Sequence, residues 1–357
     1  METNRRLFGV VLSFGCSVLV SPAFADPVSD FYHGKTVNIA VSTSAGGDYD
    51  QRARLLARHM DKHLPGQPKI IVQNMPGAGG LKAANWLYNI AAKDGTALGS
   101  LGQNMPMTQV LGGKGVEFDL RECAWIGNTM SSPMVLVSWY TSPVKTIYDA
   151  LKTELIIGGT GAGASSVQVP QMLNNLLGTK FKIIAGYPGG NELYLGMERG
   201  EIAGRATQNW AGWKSQRPDW IRDKKINLLA QSGMKRHPEL PDVPLLIDLA
   251  KTDEDRQVLE LFLAGDDVAR PIIAPPHVPD DRVAALRAAF DATMTDQGFR
   301  DDAAKGKIEI ASASGREIEA VVMRVLNTPP AVAEKARAAL EIRDVIKELP
   351  SSGKSGD

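Results

Sequence analysis

The 357-residue chain balances 40 Lys and Arg against 40 Asp and Glu, a formal net charge of zero. That balance leaves no basic field for nucleic acid and no polybasic patch for a membrane surface. The length commonly makes two domains, and of the two cysteines, Cys16 lies in an N-terminal leader, so Cys123 alone remains and no intrachain disulfide is expected.

The chain opens with Arg5-Arg6, an apolar segment from Leu7 to Val20, and Ser21-Pro-Ala-Phe-Ala25. A basic start, a short apolar core and an Ala23-x-Ala25 site describe a secretory signal peptide cleaved after Ala25. The apolar run is 14 residues, too short for a helix to cross a hydrocarbon layer of about 30 Å. Ser13-Phe-Gly-Cys16 is a poor lipoprotein box, because Phe14 stands where a small residue is wanted. A soluble, periplasmic protein is expected. Cys123 reads as a small buried apolar residue.

Beyond the leader, short apolar runs alternate with helical patterns. Strands are expected over Thr36–Val41, Lys69–Gln73, Ala97–Leu101, Met134–Ser138, Glu154–Ile157, Lys180–Ala185, Asn227–Ala230 and Arg270–Ala274. Helices are expected over Gln51–His63, Lys82–Ala91, Ile147–Leu151, Pro170–Leu177, Asn191–Arg199, Asp280–Thr293, Gln297–Lys305, Gly315–Leu326 and Ala331–Leu349. The alternation argues for an α/β fold with largely parallel sheets. The C-terminal helices are expected to pack on the first half, and Pro350–Asp357 reads as a tail.

Three glycine turns stand between a strand and a helix. In Ser42-Thr-Ser-Ala-Gly-Gly-Asp-Tyr-Asp50, Gly46 and Gly47 allow close backbone approach, and the free N–H groups of the following helix favour an anion there. Asp50 has two readings, the N-cap of that helix or an acceptor turned toward a ligand. Asn74-Met-Pro-Gly-Ala-Gly-Gly80 is a second such turn, with a tight strand-to-helix connection as its plain reading. The third, Gly158-Gly-Thr-Gly-Ala-Gly-Ala164, echoes the first about 115 residues on. Two lobes, each presenting one loop across a cleft, would explain the echo.

Catalytic readings fare poorly. Gly159-x-Gly161-x-x-Ala164 satisfies a dinucleotide fingerprint, yet the next strand ends Ile183-Ile-Ala-Gly-Tyr187 without the acid that would meet a ribose. Tyr148-x-x-x-Lys152 precedes the loop, the wrong order for a short-chain dehydrogenase. His59 and His63 have the spacing of a helical metal pair, but they lie off the apolar face formed by Ala53, Leu56, Ala57, Met60 and Leu64, and a solvated face is expected. No hydrolase elbow or metal set is evident, so neither a cofactor nor a metal is expected. Trp210-Ala-Gly-Trp213 is either core packing or a pocket wall.

Taken together, these strings resemble the substrate-binding receptors of tripartite tricarboxylate transporters, the Bug or TctC-like proteins. The resemblance is carried by Ala45-Gly-Gly-Asp-Tyr-Asp50 with Ala53-Arg54, by Asn74-Met-Pro-Gly-Ala-Gly-Gly80 and by Asp94-Gly-Thr-Ala-Leu98. It continues through Gly161-Ala-Gly163, Tyr187-Pro-Gly-Gly190, Leu240-Pro-Asp-Val-Pro244 and Ala274-Pro-Pro-His-Val-Pro279. Order and spacing hold from about residue 31 to 345. There are departures: Ser42-Thr-Ser44 lacks the usual proline, Ala164 and Val167 replace polar residues, and Arg205-Ala-Thr-Gln-Asn-Trp210 replaces a Phe-Asp element. Arg205 would either meet a second carboxylate or form a surface ion pair.

The resemblance implies a two-lobed periplasmic binding protein fold (type II), each lobe a mainly parallel sheet flanked by helices. Lobe one would comprise 26–128 and 250–357, and lobe two 129–249. It further implies a receptor, not an enzyme, that grips a small organic acid between two loops and hands it, as a monomer, to transporter membrane subunits. The contacts expected are Ser44, Ala45, Gly46, Gly47 and Asp50 from the first loop and Thr160, Gly161, Ala162, Gly163 and Ser165 from the second. Asn74 would buttress the first loop. A sensory receptor for a membrane partner and an exported dinucleotide-dependent oxidoreductase are the alternatives.

Overall fold

A computed structural model describes residues 26–112 and 114–341 and the backbone of 347–348. The leader and the tail named above lie outside these residues. Among the described residues the strands are β1 (Thr36–Val41), β2 (Lys69–Asn74), β3 (Ala97–Ser100), β4 (Cys123–Asn128), β5 (Met134–Trp139) and β6 (Leu155–Gly158). They continue as β7 (Phe181–Ala185), β8 (Gly204–Asn209), β9 (Ile226–Gln231), β10 (Pro271–Pro276), β11 (Ala313–Ser314) and β12 (Lys347–Glu348).

They form two six-stranded sheets, ordered β11-β4-β10-β3-β1-β2 and β12-β7-β6-β8-β5-β9. In the first, β1 pairs in parallel with β2 and β3, while β10 runs antiparallel between β3 and β4. In the second, β6 is parallel to β7 and β8, and β5 is antiparallel to β8 and β9. Each sheet is thus mainly parallel, with a reversed strand, β10 or β5, reached when the chain crosses from the other sheet, and the two-residue β11 also runs antiparallel to β4 at the edge of the first. The reversed strand β10 begins with Pro271 and ends Pro275-Pro276, and a register irregularity falls where those prolines cannot donate.

Central strands of a sheet covered on both faces should read as continuous apolar runs. In β1, Val37, Ile39, Ala40 and Val41 are all buried. Behind the first sheet, Leu286 and Phe290 of the helix Asp280–Thr295 share a core with them. Gly127 of β4 makes that packing possible, because a Cβ there would meet the Phe290 ring. His59 and His63 are half-buried instead of solvated: they turn toward Asp302 (3.0 Å) and Asp296 (3.3 Å) at the helix Gln297–Lys305.

Residues 250–357 do not all belong with the first sheet, as the sequence led us to expect. The helix Asp253–Leu263 packs its Val258, Leu259 and Phe262 into the core of the second sheet. The helix Pro330–Leu340 follows it there, through Ala336 and Ala339, and ends at Leu340 instead of Leu349. Alanines spaced three apart at 333, 336 and 339 are buried and let its axis lie close to the helix Ser165–Leu177. Farther on, β12 pairs with β7 at the edge of the second sheet. Ile147–Leu151 shrinks to a single 3₁₀ turn at Asp149–Leu151.

Asp266 lies where the chain returns from the second sheet toward β10. It is buried and accepts a hydrogen bond from Ser232 Oγ, which itself accepts from the Met134 N–H (2.6 Å) at the start of β5. Burial pushes its carboxyl from 3.8 up to about 8. The native state therefore holds a proton that the unfolded chain releases above 3.8, so stability is fully present at low pH. It declines as pH rises toward about 8 and then levels off. Thermal melting from about pH 5 to about pH 9 should show this decline in the native sequence and a flatter profile in Asp266→Asn. Identical slopes would remove Asp266 as the cause.

Candidate ligand-binding site

Between the two sheets lies a cavity of about 420 Å³. Three helices begin at its wall: Asp48–Met60, Ser165–Leu177 and Gly190–Glu198. Their N-caps are Gly47, Ala164 and Gly189, and in none does a side chain accept from the first turn. Gly47, Ala164, Ser165, Ser166 and Gly190 all border the cavity. The first N–H groups of a helix have no partner within it, and helix dipoles add positive potential at that end. Three uncapped starts around one space make an anion site.

Asp48 opens the first of these helices and is buried. It accepts from Arg52 Nε (2.9 Å), one turn on, and from Arg270 Nε (2.6 Å), which leads into β10. Burial alone would raise its pKa, but the two guanidinium groups outweigh that and bring it to about 2. Arg270 also stacks on the Tyr49 ring, 4.1 Å away, and donates to Gln103 Oε1 (3.2 Å). The Gln103 N–H in turn donates to the Tyr49 hydroxyl (3.1 Å). The first-lobe wall is thus a closed network, in which Arg52 and Arg270 share the Asp48 carboxylate.

The opposite wall is β8. All six of its residues are buried although four are polar or charged, a pattern that a core strand does not need. Arg205 lies over the rings of Tyr194 (5.0 Å) and Trp213 (5.8 Å) and donates from Nη2 to Gln208 Oε1 (2.8 Å). Its Nε and Nη1 have no protein partner. The expected alternative of a surface ion pair is excluded, since Arg205 is 7% exposed. Trp210 and Trp213 are core residues, and Trp213 also supports this guanidinium.

The glycine loops meet in an order the sequence did not disclose. The third loop touches not the first but the turn Gly77–Gly80, while the first and third both border the cavity. A Cβ on Gly161 would stand 2.5 Å from the Gly79 nitrogen, and one on Gly79 would stand 2.5 Å from the Ala164 nitrogen. The Gly163 carbonyl accepts from Asn104 Nδ2 (2.5 Å). The first loop instead meets Gly189–Glu192: Ser44 Oγ donates to Glu192 (2.9 Å), and the Ala45 carbonyl accepts from Asn191 (3.4 Å). Backbone-to-backbone contact of this kind needs glycine on both sides.

Of the residues expected to touch ligand, Gly47, Thr160 and Ser165 line the cavity. Ser44, Ala45, Gly161 and Gly163 are engaged in the contacts just described, and Ala162 is exposed outside the cavity. Asp50 takes neither expected role. The helix starts three residues earlier than expected, at Asp48, and the buried carboxylate accepts from the Gly46 N–H (2.8 Å), Asn74 Nδ2 (2.9 Å) and Arg54 Nε (2.9 Å). Burial opposes its ionisation, and these donors overcome that and hold its pKa below the usual value. The Gly46 N–H is therefore taken. Asn74 does buttress the loop, donating also to the Thr43 carbonyl (3.0 Å). Val167 packs in the second-sheet core, and Ser166 holds its own loop by accepting from the Thr160 N–H (3.0 Å).

Sequence reasoning missed Asp48, Gln103, Asn104, Gln208 and Arg270. The spacing of Asp48 and Arg52 was readable as an i,i+4 pair. Nothing local marked Arg270 as its third member, 222 residues away from Asp48.

Comparison with known proteins places the chain. The model of the tripartite tricarboxylate transporter family receptor matches residues 52–336, and the chain belongs to that family of periplasmic solute-binding receptors. Family members bind small carboxylates and work with tripartite transporter membrane subunits; they are receptors, not enzymes. The UPF0065 protein in the gbd 5' region of Cupriavidus necator is 25% identical over 319 residues, covering 87% of this chain and 90% of its own. The UPF0065 protein of the ttuE-ttuC' intergenic region of Agrobacterium vitis is 25% identical over 360 residues, covering 99% and 93%. Among solved structures, the periplasmic binding protein BugD superposes with a TM-score of 0.69 at 21% identity, covering 89% of this chain and all (100%) of its own. MatC of Rhodopseudomonas palustris with bound malate gives 0.67 at 20%, covering 86% and 99%. An R. palustris protein with adipate gives 0.66 at 18%, covering 88% and 99%. These structures share the two-lobed fold.

Asp48→Asn leaves Arg52 and Arg270 without their buried counter-ion. Urea unfolding should show a loss of about 3–5 kcal/mol; a loss below about 1 kcal/mol would mean the network is dispensable.

Proposed function

We propose that the protein closes its two lobes on a small organic acid and delivers it to the membrane subunits of a tripartite transporter. The observation that carries this reading is the meeting of three uncapped helix starts, from both lobes, at one cavity. One carboxylate end would take backbone N–H groups at Gly47, Ser165 and Ser166, with the Thr160 and Ser165 hydroxyls beside it. Malate and adipate, present in the two R. palustris structures, carry that chemistry and fit a cavity of this size.

Closure in this reading is a hinge motion that the bound ligand stabilises. Lobe one is assigned 26–128 and 270–326, and lobe two 129–269 and 330–341, a division supported by the packing of the helices Asp253–Leu263 and Pro330–Leu340 in the core of the second sheet. Gly79 against Gly161, Ser44 against Glu192 and Asn104 against Gly163 are the contacts made on closing. Ser44, Ala45, Gly46, Asp50, Asn74, Gly161, Ala162 and Gly163 then shape and seal the site, while Gly47, Thr160 and Ser165 touch the ligand.

Differential scanning fluorimetry of the exported form against mono-, di- and tricarboxylates tests this. A carboxylate at about 100 times its Kd adds about 2.7 kcal/mol of stability, a clear rise in Tm. No shift with any of them would refute the reading. Gly161→Val should keep the fold and lose binding, because its side chain would strike the Gly79 backbone before the lobes meet. Unchanged affinity would show that this approach is not needed.

A further inference from the structure

Among the described residues, Arg205 is the one cavity-lining cation without a carboxylate partner. Asp48 answers Arg52 and Arg270. Counting the buried cluster gives three guanidinium groups, with Arg205, against one carboxylate, an excess of two positive charges (3 − 1 = 2). Glu309, the other acid near Arg52, is paired with Lys214 (2.8 Å). Tyr194 beneath Arg205 is held as a neutral phenol, since burial raises its pKa and its hydroxyl donates to Gln216 (3.0 Å).

The surroundings of Arg205 fix its orientation without supplying a counter-ion. Its guanidinium is stacked on aromatic faces and tethered at Nη2 by Gln208. A Cβ on Gly190 would stand 3.4 Å from Nη2 and 3.5 Å from Nη1, so the group sits against the start of the helix Gly190–Glu198, a second positive feature. Burying unpaired charge beside another positive end is costly, and a side chain serving only to stack on Tyr194 would not need Nε and Nη1 dry and unpartnered. Nε and Nη1 sit on different edges of the guanidinium, so each offers its own charge-assisted N–H···O bond to an anionic group.

We propose that Arg205 is the specificity-determining residue of the receptor: its guanidinium takes a second anionic group on the ligand, selecting diacids over monoacids of similar length. This rests on the reading of the cavity as a carboxylate site. The first acid group occupies the helix starts at Gly47 and Ser165, and the second lies between Arg205 and Gly190. Two negative charges then offset the two-charge excess of the buried cluster.

Isothermal titration of the exported form with succinate, malate and adipate, each against butyrate and hexanoate, measures the ratio of diacid to monoacid affinity. A charged hydrogen-bonded pair predicts a preference of about 10- to 100-fold for the best diacid. In Arg205→Gln that ratio should collapse toward one. Arg205→Lys keeps the charge without the fork and should retain an intermediate ratio; it also serves if the Gln variant fails to fold. Equal binding of mono- and diacids by the native sequence, or equal loss of both in the variants, would overturn the role of Arg205 and leave the carboxylate reading standing. Binding of none of these acids would overturn both.

Discussion

A single buried carboxylate organises the first-lobe wall. Asp48 stands at the start of its helix, where a negative charge is favoured, and binds one arginine from its own helix and one that leads into β10. That joins a local element to a strand more than two hundred residues away. Through Arg270 it positions Tyr49 and Gln103. Through Arg52 it reaches the Glu309 carbonyl (2.7 Å). The loop that borders the cavity is thus fixed from below by charge before any ligand arrives, the arrangement that limits the entropy lost on binding.

The two lobes impose a different constraint, one of space. The backbone of Gly161 and Ala164 lies against that of Gly79, and Gly189 lies against Ser44. Cβ atoms at these glycines would hold the lobes apart. The glycines are therefore conditions for closing the cavity more than donors to the ligand. The proposed donors are the uncapped helix starts at the cavity wall.

The two cavity arginines show how one residue type serves opposite ends. Arg270 is matched by Asp48 and belongs to the scaffold. Arg205 has no carboxylate partner among the described residues, and its proposed partner is the ligand. Their local sequences hardly distinguish them: each adjoins or occupies a buried strand and lies over aromatic rings. Only the position of a carboxylate separates the roles.

The elements with strong periodicity were legible from the residues: β1, β2 and the helices Gln297–Lys305 and Gly315–Leu326 fall where the pattern put them. β4 and β8 were not, because Cys-Ala-Trp-Ile-Gly-Asn and Gly-Arg-Ala-Thr-Gln-Asn neither alternate nor run apolar. They are strands because their neighbours complete the ladder, and β8 is polar because one end of it faces the cavity. The family strings disclosed a two-lobed receptor with glycine loops at its cleft. Which loops meet was undecided by them, since facing partners are set by how the lobes close.

The sequence alone determined the composition that excludes a nucleic-acid surface, the α/β alternation, and the glycines where backbone must approach backbone, since each of these is written in local residue choice. The tertiary structure alone decided that Asp50 holds its own loop, that Asp48 pairs with Arg270 and that Arg205 has no carboxylate partner among the described residues. Charge pairing inside a folded protein depends on distances between segments far apart in the chain, and one-dimensional spacing carries no measure of them.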